Sequence, residues 1–499
     1  MTAPTLLHEL LDAAATAHPE AAAVGHGADV VTYEQVLRQS RRLGGWLTEH
    51  RVGRGDRVVV ALPPDVVLPP LLYACSRLGA VFVVVRAQAP EPVLAHVLDD
   101  AEPVLLLADA PAARALAESR RIGCRGLDEV RRAADGSAEP SSIAGPLAVD
   151  PVCFVYTSGS TGLPNAVVCT HMQVTFAAQA IQSQLMYRRD DVVYSPLPLS
   201  FDYGLYQIFL CTLAGARLQL ATGGDAGRLL ATELCRVGAT VLPAVPPLAM
   251  NLAKLLTRPG TPVPPLRLLT NTGSAMPPGS LATLRAHLPN LRVRLMFGLT
   301  ECKRATIMPE DEDLHRPGAC GRPLPGTEVI AVDDEGGRLP PGEVGELVVR
   351  GPHVMAGYWR RPELTERRFH RVHGLFPQLH TGDYGTLDED GYVYFLGRRD
   401  DLYKERAFRV SAAEVEAATY RVPGVEAASV VPPGSGRDGA TLVVVSALTP
   451  HEVLRGLRRQ LEEEKTPARC VVVPRLPLNG HGKVDRAALA RLAASDADG

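Results

Sequence analysis

Aromatic residues are scarce in this 499-residue chain, at 5% with two tryptophans, and the formal net charge is only −3. A near-neutral balance excludes the basic footprint of a nucleic-acid binder and the polybasic patch that seeks an anionic membrane. No apolar run is long enough to span a bilayer. The most hydrophobic stretch, over 58–85, is broken by Pro63, Pro64, Asp65 and Arg77. No signal peptide is expected either, because residues 1–20 carry His8, Glu9 and Asp12 inside their apolar pattern and predict an amphipathic helix. The nine cysteines lie singly between Cys75 and Cys470 with no C-x-x-C pair, which argues against a disulfide frame or a zinc site. These absences predict a cytoplasmic protein with no nucleic-acid or membrane partner.

With 46% hydrophobic residues, the chain can fill several cores, and its length predicts about two to four structural units. Up to about residue 325, short Val/Leu runs alternate with helical stretches. Strands are predicted over 58–62, 81–85, 104–107 and 192–194, with a helix over 68–78. That spacing is the mark of βαβ units and parallel sheets. From 327 the texture changes to short strands, over 328–332, 345–350 and 392–396, split by turns such as Pro340-Pro341-Gly342. A small antiparallel barrel or sheet is expected there. After Gly397-Arg398-Arg399-Asp400-Asp401 the pattern predicts helices over 412–420, 451–463 and 486–492, with strands over 425–431, 442–446 and 471–473.

One loop carries the first chemical signal. The apolar run Val152-Cys153-Phe154-Val155 predicts a buried strand, and it breaks into Tyr156-Thr157-Ser158-Gly159-Ser160-Thr161-Gly162. Such a loop presents backbone N–H groups and hydroxyls to one small volume, which suits phosphate oxygens. It is not the G-x-x-x-x-G-K-[ST] loop, since no Lys follows the second Gly.

Further segments follow in order: Pro198-Leu199-Ser200-Phe201-Asp202-Tyr203-Gly204, Thr272-Gly273-Ser274-Ala275, and Phe297-Gly298-Leu299-Thr300-Glu301. Then come His380-Thr381-Gly382-Asp383, Gly397-Arg398-Arg399-Asp400, and Asn479-Gly480-His481-Gly482-Lys483-Val484-Asp485. Together they resemble the adenylate-forming superfamily of acyl-CoA synthetases, peptide-synthetase adenylation domains and luciferases. The resemblance implies an α/β fold, with a large N-terminal domain over 1–398 and a mobile C-terminal α+β lid over 399–499. The large domain would hold two mostly parallel α/β subdomains plus a small β-barrel.

It also implies ATP and Mg²⁺ as cofactors. A carboxylate attacks the α-phosphorus of ATP, pyrophosphate leaves, and a second nucleophile takes the acyl group from the acyl-adenylate. By this resemblance Thr157, Ser158, Gly159, Ser160, Thr161 and Gly162 cradle the pyrophosphate end. Thr300 touches the α-phosphate and Glu301 holds Mg²⁺. Phe297 and Gly298 lie near adenine, with Gly273, Ser274 and Ala275 along its edge. Asp383 accepts the ribose hydroxyls with help from Arg398, Lys483 bridges carboxylate and α-phosphate, and Asp400 is the hinge of the lid. Phe201, Asp202, Tyr203 and Met276 are assigned to the acid pocket.

Some positions depart from the family pattern. Asn165 stands where a phosphate-loop Lys is usual, and Lys303 or Arg304 is a candidate replacement, against an equal expectation that both are surface residues. Ala407 replaces a Gly that lines the pantetheine tunnel in thioester-forming relatives. Asp202 follows Phe201, where many acyl-CoA synthetases have His, and would bind an amino group, orient an incoming amine, or cap a helix. The combination is similar to stand-alone amide bond synthetases that couple β-carboline acids to amines. The expected function is therefore acid activation followed by transfer to an amine. The alternatives are an acyl-CoA or carrier-protein thioester ligase and a non-catalytic adenylate-binding module.

Overall fold

The computed structural model describes residues 4–138, 145–157, 164–222, 227–372, 376–398, 402–405, 408–433, 439–461, 465–478 and 484–495. Most of the phosphate loop (158–163), Asp400, Ala407 and Lys483 lie outside the described residues.

The N-terminal part is built on two large sheets. A seven-stranded sheet runs from Gly357–Tyr358 through Asn165–Thr170, Pro151–Thr157, Val81–Val84, Arg57–Ala61 and Leu105–Ala108 to Gly123–Arg125. Its interior strands pair in parallel, whereas Pro151–Thr157 and Asn165–Thr170 form an antiparallel hairpin. The predicted helix over 68–78 is present as Leu68–Leu78, with Pro69 in its first turn and left-handed Gly79 ending it.

A nine-stranded sheet contains Leu268–Asn271 flanked by Val241–Ala244 and Arg292–Phe297, with Val192–Ser195 and Arg217–Leu220 beyond Val241–Ala244. All of these pairings are parallel. Their residues are almost wholly buried, the pattern expected of parallel strands covered by helices on both faces. Helix Leu7–Ala17, foreseen as amphipathic, turns Leu7, Leu10 and Leu11 inward.

Between residues 328 and 398 the strands are antiparallel. Glu328–Val332, Gly345–Arg350 and Pro377–Leu387 pair in succession, and Phe369–Arg371 and Val393–Arg398 both pair with Pro377–Leu387. Near the C-terminus, Val425–Val431, Thr441–Ser446 and Arg469–Val472 form a three-stranded sheet with helices Ala412–Thr419, Pro450–Leu457 and Arg486–Ser495. One helix is shorter than its predicted span of 451–463. After Leu457 the amides of Arg459 and Gln460 bond three residues back, to Gly456 and Leu457, tightening the chain into turns. No described helix is long and apolar enough to cross a membrane.

Candidate active site

Parallel strands deliver their loops to one edge, and ligands in open α/β sheets gather beyond the carboxyl ends of the strands. Here Val192–Ser195, Val241–Ala244, Leu268–Asn271 and Arg292–Phe297 end at that edge. The segments over 198–203, 272–276 and 298–304 follow three of them directly. Sequence positions a hundred residues apart thereby become neighbours.

The acid side is charged and enclosed. Asp202 opens helix Asp202–Ala214 and is 5% exposed. The helix cap is Phe201, which offers no side-chain bond, so Asp202 is the first helical residue and not the cap. A carboxylate there still lies in the favourable field of the helix N-terminus. Tyr203 is buried, its hydroxyl 2.6 Å from Thr270 Oγ1, and the Arg304 guanidinium lies 4.7 Å above its ring. Phe201 meets Tyr203 edge to face, and Met276 is buried nearby in sequence after the exposed turn over 273–275.

Lys303 and Arg304 correct the expectation of surface residues. Lys303 is 1% exposed and Arg304 5%. Their inward course comes from the backbone: Lys303 takes φ 63°, a left-handed conformation uncommon outside glycine. The turn closes tightly, since a Cβ on Gly298 would sit 2.2 Å from the Lys303 carbonyl oxygen. Lys303 Nζ lies 5.6 Å from the Tyr206 ring, with the Cys169 thiol beside it. Burial alone would pull its pKa down, but Cys169, Asp202 and Cys153 outweigh this and raise it, so it stays an ammonium. A buried cation is costly, and an anionic ligand group would stabilise it further.

The residues expected around the nucleotide centre on Asp383, 3% exposed. Its turn is fixed by backbone bonds: Gly382 N–H donates to Glu346 Oε1 (2.8 Å) and Asp383 N–H to Thr381 Oγ1 (3.0 Å). Gly382 adopts φ 68°, which glycine alone takes without strain. Arg398, directly opposite on the neighbouring strand, places Nε 3.2 Å from Asp383 Oδ1. Burial pushes the Asp383 carboxyl up to about 6, with Arg398 opposing the shift. Phe297 stacks on Phe395 at 5.6 Å, so half-buried aromatic rings line this side.

Glu301 is buried and accepts a 2.5 Å bond from the Tyr358 hydroxyl at Oε1. No cluster of three metal-ligating side chains exists among the described residues. A single carboxylate suits a hard cation that arrives with phosphate oxygens of its own, so the residues fit a Mg²⁺ carried by ATP. Thr157 and Asn165 face each other at the mouth of the hairpin that carries the phosphate loop, with Thr157 Oγ1 3.4 Å from the Asn165 carbonyl oxygen. Sequence motifs did not reveal Tyr358, Phe395 or the inward course of Lys303. Each depends on a contact between distant segments.

The Asp383 shift makes a testable pH dependence. Its unfolded value is near 4, so protonation favours the nucleotide-free fold. That contribution is full below about 4 and is lost as pH rises through about 6. For a carboxylate that holds a ribose, binding runs the other way, because the hydroxyls donate to its ionised form. The ATP KM is therefore expected to climb as pH falls through 6, and Asp383→Asn to raise it about tenfold while flattening the profile. A pH series of ATP KM values with both proteins checks this; identical profiles would remove Asp383 from the ribose site.

Comparison with known proteins agrees with this geometry. Residues 11–359 match the family model "AMP-binding enzyme" and residues 414–483 match "AMP-binding enzyme C-terminal domain". A feruloyl-CoA synthase from an Amycolatopsis species is 33% identical, over 93% of this chain and 94% of that protein. The structure of VinN in complex with L-aspartate is similar at 38% identity and TM-score 0.72, over 79% of this chain and 98% of that chain. ATP-bound MatB from Rhodopseudomonas palustris is similar at 27% identity and TM-score 0.85, over 97% of this chain and 98% of that one.

Proposed function

The chain belongs to the AMP-binding enzymes of the adenylate-forming superfamily, and within it we propose that its substrate is an aspartate-like amino dicarboxylic acid. As an AMP-forming ligase it converts a carboxylic acid to an acyl-adenylate, with ATP as co-substrate. The observation that carries the substrate proposal is the buried set Asp202, Lys303 and Arg304. A buried group of charges of both signs favours an acid that brings charges of its own, because a plain aryl or alkyl acid offers them nothing in return. An amino dicarboxylate supplies both complements. Its ammonium meets Asp202, one carboxylate meets Lys303 and Arg304, and the other carboxylate attacks ATP. The VinN complex, solved with L-aspartate, supports this choice.

In the reaction, the free carboxylate oxygen bonds to the α-phosphorus as the bond to the pyrophosphate oxygen breaks. Positioning and charge stabilisation supply most of the rate. Asp383 and Arg398 hold the ribose, Phe297 the adenine, and Glu301 the Mg²⁺, which neutralises phosphate charge. Gly273, Ser274 and Ala275 run along the base, with Thr300 toward the α-phosphate and the loop from Thr157 to Gly162 on the pyrophosphate. Lys483, on a lid spanning 399–499 that turns about Asp400, enters for this half-reaction.

For the second half-reaction we propose a thiol, CoA or a carrier-bound pantetheine, as acceptor. The feruloyl-CoA synthase relative supports it. Amine transfer would use Asp202 as a base, a role closed to it once it pairs with the substrate's ammonium. The cysteines are all free thiols, which fits a reducing cytoplasm. The test is carboxylate-dependent exchange of labelled pyrophosphate into ATP. L-Aspartate is expected to support exchange at least tenfold above benzoate or hexanoate. Mass analysis after adding CoA, a carrier protein or a simple amine then identifies the acceptor. Equal exchange with neutral acids would end the substrate proposal.

A further inference from the structure

The geometry points to Arg368 as a phosphate-binding residue that supplies the positive charge Asn165 withholds from the nucleotide site. This rests on the function proposed above and adds a residue to it. Arg368 ends helix Pro362–Arg368 and is half-buried. Its guanidinium crosses directly over the ribose-side turn: a Cβ on Gly382 would meet Arg368 Nη1 at 2.8 Å. From there its charge acts on three groups from separate segments. These are the Tyr358 hydroxyl, the Asp383 carboxylate and the Glu346 carboxylate.

Tyr358 in turn donates to Glu301 Oε1 at 2.5 Å. The guanidinium therefore stands between the carboxylate assigned to the metal and the one assigned to the ribose. It is drawn toward both, while the salt bridge to Asp383 comes from Arg398, and Glu346 is bonded to His380 and the Gly382 amide.

The same corner borders the phosphate hairpin. Strand Gly357–Tyr358 pairs with Asn165–Thr170, placing Tyr358 opposite Val167, and Trp359 N–H donates to the Ala166 carbonyl at 2.9 Å. Tyr358 thus lies two residue pairs from Asn165, where the usual cation is missing. A phosphate chain running from the ribose at Asp383 toward Thr157 and Asn165 passes Glu301 and comes within reach of Arg368. Guanidinium suits that role because its planar fork binds phosphate oxygens bidentately and keeps its charge when partly buried.

Nucleotide titrations with the full chain and Mg²⁺ separate a phosphate contact from a role in merely shaping the Gly382 turn. Adenosine carries the base and ribose, while ATP adds only the phosphates. Arg368→Gln is expected to weaken ATP binding about tenfold or more while leaving adenosine affinity within about twofold. Arg368→Lys should recover part of the loss, since it keeps the charge without the fork. The ATP KM should rise in parallel while the KM for the acid holds. Equal weakening of ATP and adenosine would overturn the inference, as would unchanged ATP affinity. If wild-type protein showed no acid-dependent exchange, the proposed function would fall and this inference with it; exchange in wild type with an indifferent Arg368→Gln removes the inference alone.

Discussion

Lys483→Ala is expected to lower acid-dependent pyrophosphate exchange by about two to three orders of magnitude, the scale of losing one transition-state charge partner. The segment Gly480-His481-Gly482-Lys483 places an ammonium directly after two closely spaced glycines in the sequence. Two anions must meet in the first half-reaction, the attacking carboxylate and the α-phosphate, so a cation between them lowers the barrier directly. In the second half-reaction that cation has no such work, and a lysine on a lid leaves without disturbing the acyl pocket. The two steps should therefore respond differently. Adenylation falls steeply in Lys483→Ala, while transfer from supplied acyl-adenylate to the thiol stays within severalfold of wild type. An unchanged exchange rate would remove Lys483 from the chemistry, and equal loss in both steps would argue for a folding defect.

Lys303→Met should have the second-largest effect, on the acid and not on ATP. Its ammonium is enclosed and faces Asp202, Cys169 and Cys153. Methionine keeps the volume and removes the charge, so the buried Asp202 carboxylate loses a nearby positive charge and thermal stability is expected to fall. The kcat/KM for an aspartate-like acid is expected to drop at least about a hundredfold, matching loss of a buried charged contact. The ATP KM should change less than about threefold. Adding Asp202→Asn separates stability from recognition. The double variant should regain thermal stability, because no lone charge remains, yet stay inactive on the dicarboxylate and favour a neutral acid. A raised ATP KM with unaltered acid selection would return Lys303 to the alternative role of replacing the phosphate-loop cation.

Why the sequence reached some of this and not the rest follows from the range of each interaction. Strand Glu328–Val332, strand Gly345–Arg350 and helix Leu68–Leu78 match their predicted limits because periodicity and Gly/Pro punctuation are local signals. Asp383 and Arg398 were both legible as motif residues, and strand pairing sets them opposite each other. Lys303 was legible only as a charge. Polar residues are expected outside by default, and nothing in its neighbours announces φ 63°.

The order of the motifs from Tyr156 to Lys483, by itself, determined the family, the α/β architecture and ATP-dependent acid activation. Those features are written in short segments whose backbone chemistry is self-contained. Only the tertiary structure decided which charges are buried near one another and which guanidinium overlies the Gly382 turn. Those pairings join Asp202 to Lys303 and Arg368 to Gly382. They arise where loops from separate strands converge, and the energy of a buried charge depends on every group around it, not on its place in the chain.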